Sequence, residues 1–110
     1  MTDYTVDRSR WSQMNIFEQM GNIYSEVGRS LNAKKAGRIN DSQAATYRAL
    51  DLLDATVDNL VKQRSPRVKE VLRAREQYLH AILDTPQNQQ DIDYIDKYFQ
   101  QFAIAQRLTR

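Results

Sequence analysis

The stretch Asn15-Ile16-Phe17-Glu18-Gln19-Met20-Gly21-Asn22-Ile23-Tyr24-Ser25-Glu26-Val27 decides the fold class. Asn15 is a good helix N-cap, and Glu18 stands three residues on, as a capping box requires. Apolar residues then recur at Ile16, Met20, Ile23, Val27 and Leu31, the spacing of one helix face. Lys34 and Lys35 suit the C-terminal end of a helix dipole, and Gly37 is a C′ stop. One amphipathic helix is therefore expected from Asn15 to about Gly37.

The same reading extends outward. A second helix is expected from Asn40 or Asp41, with Asn40 and Gln43 as a capping pair and Ala49, Leu50, Leu53, Val57 and Leu60 as its stripe. It should end near Lys62 to Arg64. Ser65 is placed to cap a third helix with Pro66 at its first position, where the missing N–H is no loss. Val68, Val71, Leu72, Leu79, Ile82 and Leu83 form its expected apolar face. Pro86 ends it. Asn88, with Asp91 three residues on, caps a fourth helix whose stripe is Ile92, Ile95, Phe99, Phe102 and Ala103. No strand alternation is visible. Four similar helices joined by short linkers predict an all-α, up-down-up-down four-helix bundle over residues 15–110. Residues 1–14 read as a flexible N-terminal segment, with Trp11 and Met14 placed to close one end of the core.

Composition narrows the function classes. The chain has 110 residues, 41% hydrophobic and 27% charged, enough for one ordinary domain. It contains no Cys and one His, which excludes disulfides, thiolate chemistry and Cys- or His-pair metal sites. No cofactor and no metal are expected. No stretch approaches the ~20 apolar residues of a membrane span, and no targeting segment is evident, so a cytoplasmic location without membrane contact is the expectation. A formal net charge of +2 is too small to call for nucleic acid by itself.

Several segments resemble a family of small bacterial all-helical proteins. They are Trp11-Ser12-Gln13-Met14, Glu18-Gln19-Met20-Gly21-Asn22-Ile23, Ser25-Glu26-Val27 with Arg29, and Ala49-Leu50-Asp51-Leu52-Leu53-Asp54. Lys69-Glu70-Val71-Leu72-Arg73 with Arg75-Glu76, and Lys97-Tyr98-Phe99-Gln100-Gln101-Phe102-Ala103, complete the set. The resemblance implies the helical fold and a bacterial origin. The family carries no assigned activity, so no site residue follows from it.

Five groups of residues invite a functional reading. Arg73 and Arg75 precede His80 by six and four intervening residues, which resembles the Arg-x(4–6)-His motif of HEPN-type helical ribonucleases. That resemblance implies phosphate stabilisation by Arg73 or Arg75 beside a titrating His80. Asp51, Asp54 and Asp58 share one side of the second helix; Asp91, Asp93 and Asp96 are the comparable group on the fourth. A hard-metal site or a docking strip for a basic partner is the functional reading; without a Glu-x-x-His pair these groups read rather as solvated or Lys- or Arg-paired faces. Lys62, Arg64, Ser65, Arg67, Arg107 and Arg110 gather at one pole, whose functional reading is contact with phosphate, with RNA or DNA, or with an acidic protein. Gly21, Ser25 and Gly28 form a small-residue strip, and Ile104 and Leu108 lie off the fourth helix's main stripe. Together they suggest a subunit interface, most simply a homodimer.

The fifth group concerns Arg75, which falls between Leu72 and Leu79 on the expected apolar face. A charge there needs a partner. Glu26, at matching height on the first helix, is the expected one, with Asp54 second. The overall expectation is a non-enzymatic interaction or scaffold protein that self-associates, with a further protein partner of unknown identity. A HEPN-like nucleic-acid-processing protein is the alternative.

Overall fold

The computed structural model describes residues 6–108, which fold into five helices and, among the described residues, no strand. They are α1 (Arg8–Ser12), α2 (Ile16–Lys35), α3 (Ile39–Lys62), α4 (Val68–Leu83) and α5 (Gln89–Leu108). The four expected helices are α2 to α5; α1 is additional. α2 packs most extensively on α3. Further packing joins α3 to α4, α4 to α5, and α5 back to α2, with a smaller contact between α2 and α4.

The ends of α2 form as the sequence predicts. Asn15 Oδ1 accepts the Glu18 N–H at 2.9 Å. At the other end Gly37 adopts φ +78°, its N–H donates to Lys34 O, and the Arg38 N–H reaches back to Ala33 O at 2.8 Å. This is a Schellman turn. It delivers the chain directly into α3, which begins at Ile39 behind Arg38 with no side-chain cap. Asn40 therefore sits inside the first turn, and the expected Asn40–Gln43 pair does not start the helix.

α3 ends in the same way, with Arg64 at φ 55° in the glycine position and the Ser65 N–H bonded to Leu60 O at 2.9 Å. Ser65 is thus committed to closing α3. Its hydroxyl accepts the Arg67 N–H at 3.1 Å, and α4 starts later than expected, at Val68. Asn88 caps α5 by accepting the Gln90 N–H at 2.8 Å.

Met20, Ile23, Val27, Leu53, Val71, Tyr78, Ile95 and Phe99 are among the fully buried side chains at the core. On α4 the buried face is Val71, Ala74, Tyr78, Ala81 and Ile82. The expected face was rotated from this one: Leu72 is 46% exposed and Leu83 69%. Tyr78 turns inward because its hydroxyl finds partners there. It lies 2.6 Å from Ser30 Oγ and 3.4 Å from Thr46 Oγ1. Ser30 Oγ also donates to Val27 O at 2.7 Å, and Ser42 Oγ donates to Ser30 O at 2.9 Å. A chain of hydroxyls so links α2, α3 and α4 inside an apolar core.

Of the segment 1–14 expected to be flexible, residues 6–14 form a hook docked on the core. The Val6 N–H donates to Asp51 Oδ2 at 2.8 Å. Trp11 is buried, and its indole N–H donates to Thr56 Oγ1 at 2.9 Å. Gln19 Nε2 bonds Trp11 O at 2.9 Å, fixing the hook to α2.

Burial raises the pKa of Tyr78 and, more strongly, of Tyr98, where the Glu70 carboxylate adds to the effect. Both phenols stay protonated in the fold beyond the pH near 10 at which unfolded tyrosine ionises. The unfolded chain then binds fewer protons, so stability should fall as pH rises above about 10. A melting temperature flat from about pH 8 to 9.5 and then dropping is the expected result, with the tyrosinate absorbance of Tyr78 and Tyr98 appearing only on unfolding.

Candidate interaction surface

The ion pairs differ from the expected pairing. Arg75 Nε bonds Asp54 Oδ1 at 2.9 Å, and Glu26 is paired elsewhere, with Arg48 Nε at 2.7 Å and with Arg29. The Arg75–Glu26 pair is therefore not made. The rotated face of α4 explains this. With Ala74 and Tyr78 pointing inward, Arg75 lies at the edge toward α3, and the neighbouring helix supplies its carboxylate. Glu26 is buried as expected, but it faces α3, the helix packed most closely on α2.

Asp51, Asp54 and Asp58 of α3 are each matched by an arginine. Asp54 holds Arg75, while Asp51 and Asp58 both hold Arg8 from the hook. On α4, Arg73 and His80 are exposed on one flank. Arg75 lies about 140° away from His80 at 100° per residue, turned to Asp54.

The basic pole is partly neutralised. Arg67 bonds Glu70 at 3.0 Å and sits 5.3 Å over the Phe102 ring. Ser65 is occupied by the Arg67 N–H. Lys62, Arg64 and Arg107 remain exposed, with no ion pair among the described residues. Arg110 lies outside the described residues.

The small-residue strip faces outward. Gly21 and Ser25 are exposed, Gly28 is partly so, and a Cβ at either glycine would meet nothing within 4 Å. Among the described residues no helix approaches closely over either glycine. Ile104 and Leu108 are likewise exposed, at 53% and 80%.

A second apolar surface was not anticipated, because its leucines read as core. It runs along α3 and α4, which the short turn between them makes antiparallel. The Asp54–Arg75 bond sets their register. Val57 and Leu72 lie one turn to one side of that bond, and Leu50 and Leu79 one turn to the other. Val61, Leu72 and Leu83 are exposed, and Tyr47 is 70% exposed. Leu50, Val57, Val68 and Leu79 are half-buried between them. The surface is therefore a shallow apolar strip with one ion pair at its middle. The available signal was the company Leu72 keeps: Lys69, Arg73 and Glu76 all lie on its flank and all face water.

Among the described residues no helix is long and apolar enough to cross a membrane. Compared with protein-family models, curated proteins and solved structures, the chain finds no match.

Proposed function

We propose that this chain is a non-enzymatic interaction protein, an up-down-up-down four-helix bundle of α2 to α5 that pairs with a second copy of itself. The order of helix packing, each helix on the next and α5 on α2, supports the bundle. The observation that carries the pairing is the α3–α4 strip. Val61, Leu72 and Leu83 are large apolar side chains held in water on one face. The Arg75–Asp54 pair in its middle makes that face self-complementary. A twofold axis through it brings each arginine toward the other copy's aspartate, as a symmetric dimer interface requires.

Light scattering at high micromolar concentration tests the reading. Two chains of 12.9 kDa give about 26 kDa for the dimer. Leu72→Glu should return the protein to a monomer with its helical content kept, since Leu72 adds little to the core. A wild-type mass of one chain overturns self-association. Dissociation by Ile104→Glu but not by Leu72→Glu moves the interface to the outer face of α5 and the Gly21/Ser25/Gly28 strip.

A further inference from the structure

A cleft of about 400 Å³ opens between the C-terminal half of α2 and the N-terminal half of α3. Its apolar side is Ala44, half-buried, set over the buried Ala33 and Ala45. Three arginines line it: Arg29 from α2, Arg38 from the turn, and Arg48 from α3.

These arginines are already oriented. Arg29 and Arg48 share the buried Glu26 carboxylate, and Arg38 Nη1 reaches Asp41 at 3.4 Å. Three cations against two carboxylates leave a net charge of +1 around the cleft. Each guanidinium carries five N–H donors on three nitrogens. One nitrogen of each is used in the pairs just described, so two on each have no bond among the described residues. Glu26 thus works as a bracket. It fixes two guanidiniums side by side, which removes much of the entropy that a mobile arginine loses on binding an anion.

We propose that this cleft binds a small phosphate monoester, with the phosphate among Arg29, Arg38 and Arg48 and the organic body against Ala44. A monoester carries about two negative charges at pH 7 and three terminal oxygens, which suits a cleft lined by three arginines better than a carboxylate does. The volume is within the range of small-molecule sites and exceeds what a bare phosphate fills. Asp41 is the competitor. It is exposed, its contact with Arg38 is long, and an incoming phosphate displaces it.

Phenyl phosphate is the probe, titrated at low salt and followed by backbone amide chemical shifts. Saturable shifts at Ala33 and Ala45 are expected. Binding should weaken as pH falls through about 6, where the monoester loses its second charge. Inorganic phosphate, which lacks the body, and phenyl sulfate and benzoate, which carry one charge, should all bind more weakly. Arg38→Gln, a change at an exposed side chain, should weaken phenyl phosphate about tenfold, the loss of one charge-assisted contact. Asp41→Asn should tighten it severalfold, which a purely structural role for Asp41 would not do. Equal affinity in Arg38→Gln, shifts gathered instead at Lys62 and Arg64, or no saturable shift would each overturn the proposal.

Discussion

Replacing Trp11 with alanine should destabilise the fold by about 3–5 kcal/mol, the range for deleting a large aromatic from a core. Trp11 is 5% exposed and contacts the same core cluster as Met20, Ile23 and Leu53. Its removal leaves a cavity at one end of the core and strands the Thr56 hydroxyl, which is fully buried and accepts the indole N–H. The loss is a large part of the 5–15 kcal/mol that holds a domain of this kind together. A drop in melting temperature of at least about 12 °C is expected. Trp11→Phe keeps most of the apolar volume and should recover the larger part of the loss. A melting temperature unchanged in Trp11→Ala would mean that residues 6–14 do not dock.

The second large effect is expected at Glu26. Its carboxylate receives Arg48 and Arg29 and is itself nearly out of water. Glu26→Ala removes two charge-assisted hydrogen bonds and should destabilise by about 2–3 kcal/mol. The effect stays below the 3–5 kcal/mol of a fully buried pair because both arginines can turn to solvent when released. Arg48 is one-third exposed and Arg29 two-thirds. Thermal or urea unfolding of a double-mutant cycle identifies the partner. Glu26→Ala combined with Arg48→Gln should be strongly non-additive, whereas Glu26→Ala with Arg75→Gln should add. The reverse pattern would restore the Arg75–Glu26 pairing.

The helices were legible where side-chain chemistry and spacing act locally. Asn15, Gly37 and Asn88 mark their boundaries through hydrogen bonds or backbone freedom that need only near neighbours. The face of α4 was not legible. Hydropathy weights Leu72 and Leu83 heavily and Ala74, Ala81 and Tyr78 lightly. Alanine buries well because it lets helices approach, and Tyr78 buries because Ser30 and Thr46 satisfy its hydroxyl, facts that lie in other helices. The same limit hid the partner of Glu26. Height along the axis can be read from residue counts, but the direction in which Glu26 faces depends on how α2 and α3 pack. The hook was missed because α1 is only five residues long, too short for any period to show, and depends on Asp51, Thr56 and Asp58, over 40 residues away. The arginine-lined cleft was invisible for a similar reason: Arg29, Arg38 and Arg48 share no helical spacing and meet only across a turn.

The hydroxyls shared by Ser30, Ser42, Thr46 and Tyr78 also set the route by which this core can change over generations. Suppose Tyr78 becomes Phe first. Ser30 keeps its bond to Val27 O, and little is left unsatisfied. Suppose instead that Ser30 becomes Ala first. The Tyr78 hydroxyl then retains only the 3.4 Å approach to Thr46 and stands nearly unpaired in hydrocarbon, at about 1–3 kcal/mol. The two orders reach the same dry core with very different intermediates. The inheritance of this core is therefore directional: tyrosine yields before serine, and a lineage that tried the opposite order would pass through a weakened protein on the way.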